Sequence, residues 1–211
     1  MNLELFAMNH EPSTMLKIGI TGGIGSGKST AAKVFEVLDI PVYYADETAK
    51  RLMNEDKQLK EKIQQQFGKD TYTNGELNRK QLASIVFNAP EKLEALNALV
   101  HPATLADAAH WMKKQHSPYA IKEAALIFES GAQEDLDHVI GVYAPAPLRV
   151  LRAMQRDNIT REQVIARMDK QIDEEIKMRL CDFVIKNDEQ EMLLPQILAL
   201  HEKLLALSKQ Y

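Results

Sequence analysis

Gly22-Gly23-Ile24-Gly25-Ser26-Gly27-Lys28-Ser29 is a complete G-x-x-x-x-G-K-[ST] phosphate loop, and its flanks are the ones such a loop needs. The β-type run Leu16-Lys17-Ile18-Gly19-Ile20-Thr21 precedes it, and Thr30 to Leu38 follows with Val34, Phe35 and Leu38 on one helical face. Strand, glycine loop and helix N-terminus form an anion site, because backbone N–H groups converge on phosphate oxygens and the helix dipole favours negative charge. Lys28 adds a mobile cation, and the Ser29 hydroxyl is placed to meet a Mg²⁺ bridging two phosphates. A glycine-rich turn that merely joins strand to helix is the bland alternative, and the combined context argues for a nucleoside triphosphate. Gly23, Gly25, Ser26, Gly27, Lys28, Ser29 and Thr30 are the residues expected around it.

Downstream, Ile40 to Tyr44 reads as a second strand, and Glu47 to Phe67 shows helical spacing. Asn74-Gly75 marks a turn, Asn78 can cap a helix through Leu82, and Pro90 opens a longer one that His101-Pro102 interrupts. Tyr119 to Leu126, His138 to Tyr143 and Asp182 to Ile185 read as three more strands, and Pro147 to Arg156 as a helix. Thr160 with Gln163 forms a capping box, and Glu189 to Leu207 makes a closing helix. Strands alternate with helices and no hairpin is expected between them, so the fold class is α/β: a five-stranded parallel sheet in a three-layer phosphate-loop fold. The core is expected from 15–46, 117–148 and 174–211, a helical acceptor-binding insert at 47–116, and an Arg-rich lid at 149–173. Residues 1–14 have no usable period and read as a loose, tag-like extension, with Met15 as the natural start.

Composition narrows the partners. The 211 residues suffice for one well-buried core but not for two large domains. A net charge of −4 argues against nucleic acid as the main partner. Cys181 is the single cysteine, which excludes an internal disulfide and a Cys-rich zinc site. Apolar stretches fall short of the ~20 residues that span a bilayer. These features imply a cytoplasmic protein, without a membrane partner, acting as a monomer or small homo-oligomer on small molecules. The guanine-reading N-K-x-D sequence is absent, as are a metallohydrolase cluster and a Ser-His-Asp set.

Several side chains are candidates for chemistry. Asp46 directly follows the second strand, where it can orient or deprotonate an attacking hydroxyl, or simply cap the next helix. Arg149, Arg152, Arg156, Arg161 and Arg167 form a cationic cluster suited to neutralising a phosphoryl group in flight. A solvated face paired with Asp157 or Glu162 is the plainer reading for any one of them. Arg79 can hold an anionic substrate group or brace its turn. His101 reads first as a packed structural residue. Glu123 and Glu129 flank the end of the third strand without the apolar-run-plus-Asp pattern of a magnesium-holding carboxylate.

The run Ile18 to Thr30, Ala45-Asp46, Leu77-Asn78-Arg79 and His101-Pro102 together resemble the dephospho-CoA kinase family. So do Leu126-Ile127-Phe128-Glu129, the Arg152/Arg156-Asp157 spacing, Gln171, and Asp182 to Asn187. Departures fall at Ala125, where that family usually carries proline, at Cys181, and at Asp188-Glu189. The resemblance implies ATP- and Mg²⁺-dependent phosphorylation of the ribose 3′-hydroxyl of dephospho-coenzyme A, the last step of coenzyme A synthesis. It implies Asp46 as general base, Arg152 and Arg156 as phosphate contacts, and Asn187 near the adenine pocket. Catalysis would then fall to Asp46, Lys28 and Arg152, and acceptor binding to Asp46, Arg79 and His101.

Overall fold

The structure, a computed structural model, describes residues 15–86 and 89–210; the extension at 1–14 lies outside the described residues. Strand β1 (Leu16–Thr21) passes through the phosphate loop into helix α1 (Lys28–Val37), and β2 (Val42–Tyr44) runs without a break into α2 (Ala45–Glu55). Helix α3 (Lys57–Phe67), strands β3 (Tyr72–Thr73) and β4 (Glu76–Leu77), and helices α4 (Arg79–Val86) and α5 (Pro90–Met112) lead to β5 (Tyr119–Glu123). Then come β6 (His138–Tyr143), α6 (Ala146–Asp157), α7 (Arg161–Met168), α8 (Glu174–Leu180), β7 (Phe183–Lys186) and α9 (Leu193–Ser208).

Five strands form one parallel sheet in the order β2-β5-β1-β6-β7. The chain winds to one side of β1 first and to the other afterwards, so the strand order reverses at β1, directly below the glycine loop. Ligands of open α/β sheets bind in the crevice at such a reversal. Leu16, Ile18 and Ile20 alternate onto one face, fully buried with Phe35 of α1, Tyr119 of β5, and Ile197 and Leu204 of α9. On the other face Gly19 leaves room for Ile127 and Leu136. A second apolar cluster of Leu52, Leu59, Ile63 and Tyr72, joined by Leu77, Leu96 and Leu99, holds α2, α3 and α5 together.

Local chemistry moved several expected boundaries. The helical run expected over 47–67 is two helices, because Asp56 turns extended (φ −76°, ψ 111°) and its carboxylate accepts from Leu59 N at 3.0 Å as an N-cap. The Asn74-Gly75 turn closes a small antiparallel hairpin apart from the main sheet, whose strands are all parallel as expected: both residues have positive φ, 52° and 84°, as a twisted two-residue turn requires. Helix α5 continues through Pro102 rather than stopping at it, with Leu96, Leu99 and Val100 packed before the proline and Thr104, Ala108 and Met112 buried after it. That burial offsets the ~3 kcal/mol a mid-helix proline costs. The closing helix begins at Leu193 instead of Glu189, because the Asp188 side chain accepts from Gln190 N and Glu191 N and holds those residues in a turn. The third main strand likewise ends at Glu123, three residues short of Leu126.

Candidate active site

Ser26 N donates to Gly23 O at 3.0 Å, closing the loop, and Gly27 (φ 92°, left-handed) caps α1. Gly25 is also at positive φ, 77°, with the Arg149 carbonyl where a Cβ would go, so neither position accepts another residue without strain. The helix-terminal N–H groups from Gly27 to Thr30 have no intrahelical acceptor and supply the anion cradle.

Beneath the cradle, Glu123 is 3% exposed at the carboxyl end of β5. Its Oε1 lies 3.2 Å from Lys28 Nζ and accepts from Ser29 Oγ at 3.1 Å. A buried carboxylate beside a hydroxyl is a pair of hard oxygen donors, which suits a magnesium ion that keeps most of its own waters. The absence of the usual strand-end aspartate counted against Glu123 in the sequence, yet the parallel pairing of β1 and β5 brings it to the loop. Glu129 has a different partner, Lys177 Nζ at 2.9 Å, and also accepts from Ile172 N.

The arginines separate. Arg149 is 6% exposed and packs on the loop backbone at Gly23 and Gly25, with NH1 3.1 Å from Glu174 Oε2. Burial raises the Glu174 pKa against the opposing pull of Arg149 and Lys177. Gln171 Oε1 accepts from Ile24 N at 3.0 Å, so the 171–174 stretch grips the first half of the loop. Arg152 donates to Asn187 O and to Glu189 Oε1, both at 3.0 Å. Arg156 is turned onto Asp157, which Arg167 also reaches. Asn187 Nδ2 donates to Ser26 O at 2.8 Å, bracing the loop from the β7 side. Gln171 is among the residues that carry the family resemblance, without a local signal that it meets the loop, and Glu174 has no sequence signal at all.

The acceptor candidates lie on the other flank. Asp46 is exposed in the first turn of α2, whose N-cap is Tyr44, so it does not cap the helix. Its carboxylate has no hydrogen-bond or ion-pair partner among the described residues. Tyr44 pairs in register with Glu123, which puts the start of α2 two strand spacings, about 10 Å, from the β1 axis. Asn54 Oδ1 accepts from Leu77 N, tying the far end of α2 to the turn that carries Arg79. Arg79 is exposed and His101 half-buried within α5; neither has a polar partner among the described residues. The structure therefore spreads Asp46, Arg79 and His101 along the helical layer. A cavity of about 480 Å³ opens between β2, α2 and α5, lined by Tyr43, Tyr44, Arg51, Asp107 and Trp111; Asp46 is not among its lining residues. Its aromatic wall is set by the Tyr43–Trp111 pair, 5.5 Å between centroids.

Fold and cradle together define a phosphate-loop kinase. Within that class the chain belongs to the dephospho-CoA kinase family, whose model matches residues 16–192. It is similar to the dephospho-CoA kinase of Bacteroides fragilis, at 37% identity over 186 residues, 88% of this chain and 91% of the relative. Among solved structures it is similar to the Thermus thermophilus protein TT1252, with a TM-score of 0.79 and 34% identity over 91% of this chain and 97% of that one. The dephospho-CoA kinase from Campylobacter jejuni aligns with a TM-score of 0.66 and 32% identity over 92% and 98% of the two chains.

Proposed function

We propose that this protein transfers the γ-phosphoryl group of ATP to the ribose 3′-hydroxyl of dephospho-coenzyme A, giving coenzyme A and ADP as the closing step of coenzyme A synthesis. The observation that carries the reading is the Lys28–Glu123–Ser29 cluster under a glycine cradle, in a chain that belongs to the dephospho-CoA kinase family. The hydroxyl oxygen forms a bond to the γ-phosphorus while the bond from that phosphorus to the β-γ bridging oxygen breaks. ADP leaves, and the hydroxyl proton passes to the Asp46 carboxylate. Asp46 suits that role, being unpaired, exposed and one strand beyond Glu123.

Lys28 and the Gly27–Thr30 amides hold the phosphates, with the rest of the 22–29 loop shaping the cradle. Ser29 and Glu123 would hold a magnesium ion, which when bound supplies charge neutralisation between phosphate groups. Arg152 and Arg156 are assigned to phosphate contact and Asn187 to the adenine end; Arg152 reaches Asn187 O, and Asn187 braces the loop at Ser26, whereas Arg156 would have to leave Asp157 to take part. Helices of 47–116, with Arg79 and His101, take the acceptor, and 149–173 closes over the site to exclude water. The spread of Asp46 and Arg79 suits a long acceptor: Asn54 lies eight helical steps beyond Asp46 on α2, about 12 Å of helix.

A coupled ADP-release assay with and without dephospho-coenzyme A tests the reading. ADP should appear only with the acceptor present, matched by 3′-phosphorylated product. Release that ignores the acceptor, or transfer to a nucleoside monophosphate instead, would sink it.

A further inference from the structure

Successive side chains of a strand point to opposite faces, so Lys122 faces away from its neighbour Glu123 and from the phosphate site. Lys122 is 6% exposed, yet it makes no hydrogen bond or ion pair among the described residues. Its side chain lines a second cavity of about 390 Å³ between the sheet and α5, walled by Ala108, Met112 and Leu136. Two more lysines, the exposed Lys17 and Lys113, line the same space, against one carboxylate, Asp135. Asp135 acts on Lys122 through longer-range attraction only, and burial pushes the ammonium pKa down.

A largely buried ammonium with no carboxylate in contact, and only Asp135 at longer range, costs free energy that a bound anion would recover. The apolar wall asks for hydrocarbon, and the volume lies within the range of small-ligand pockets. We infer that this cavity is a binding site, separate from the phosphate cradle, for a small amphipathic anion: a carboxylate on a short hydrocarbon body. The carboxylate bonds Lys122 Nζ, and the hydrocarbon lies along Ala108 and Met112.

Hexanoate is the probe, with hexanol and hexylammonium as controls of matched length, read on the full chain by saturation-transfer NMR and calorimetry. Hexanoate should bind, and the two controls should bind at least about tenfold more weakly, as loss of one charge-assisted hydrogen bond implies. Lys122→Met keeps the volume and should weaken hexanoate by about tenfold or more while ATP binding is retained. Ala109→Phe, on an exposed position at the same cavity, should abolish hexanoate binding by filling the space. No binding of hexanoate to the wild-type chain overturns the inference. So does equal binding to Lys122→Met, or hexanol binding as tightly as hexanoate.

Discussion

Under the proposed function Lys28 and Asp46 act on opposite flanks of the γ-phosphate, so their substitutions should separate accordingly. Lys28 sits within 3.2 Å of the buried Glu123 carboxylate, so Lys28→Ala removes the cradle's cation and leaves Glu123 facing bound phosphates unopposed. Transfer should fall to background, with ATP affinity weakened in calorimetry. Asp46 touches nothing in the cradle. Asp46→Asn should therefore lower kcat by ~10²–10⁴ while leaving ATP affinity intact. Near-full turnover by that variant in steady-state assays removes Asp46 from the role of base.

Among the elements, α3 shows how a helix gains its place from packing. Its sequence is strongly charged, and Ile63, fully buried beside Leu59 and Tyr72, is its main anchor. Ile63→Ala should cost ~2–5 kcal/mol in that cluster. Hydrogen exchange across 45–86 should accelerate, and faster exchange confined to β6 and β7 would contradict the local assignment. Helices α6 and α7 are joined differently, through Asp157. Its hydrogen bonds to Arg156, and then the charges of Arg156 and Arg167, hold its carboxyl below the usual aspartate pKa. The folded pKa is depressed, so the stabilisation is present above the unfolded value near 3.9 and is lost as pH falls through the folded one. Melts of wild type and Asp157→Asn should differ at neutral pH by under about 1 kcal/mol, since the arginines are more than half exposed, and converge below about pH 4. A constant difference down to pH 2 would remove the ion pairs as its cause.

For the whole molecule, the connection that matters runs from the 149–177 segment into the phosphate loop. Arg149 and Glu174 are both mostly buried, and Lys177 is fully so, donating to Ala125 O and pairing with Glu129. Removing one partner of such a pair strands the other charge. Arg149→Met alone should cost about 3–5 kcal/mol, whereas Arg149→Met with Glu174→Gln should cost clearly less than the two single changes together. Urea unfolding of all four proteins measures the coupling, and strict additivity would show that the pair is not energetically joined. A loop held this way enters catalysis already shaped, which lowers the ordering cost of binding phosphate.

Local sequence determined the cradle. Eight consecutive residues from Gly22 to Ser29 carry their own geometry, because turn, helix cap and cation lie within one turn of chain. It also determined where strand-forming and helix-forming segments alternate, the Thr160–Gln163 capping box and the Pro90 helix start, all of which depend on neighbours a few residues away. Only the tertiary structure decided that Glu123, not an aspartate, meets Ser29, and that Arg149 rather than Arg156 lies against the loop. It also decided that Gln171 and Glu174 hold amides or backbone about 150 positions away, and that Lys122 opens into an apolar cavity. Those outcomes depend on strand register and on which helix face turns inward. Both are set by burial summed over the whole chain, and no short window of sequence contains that sum.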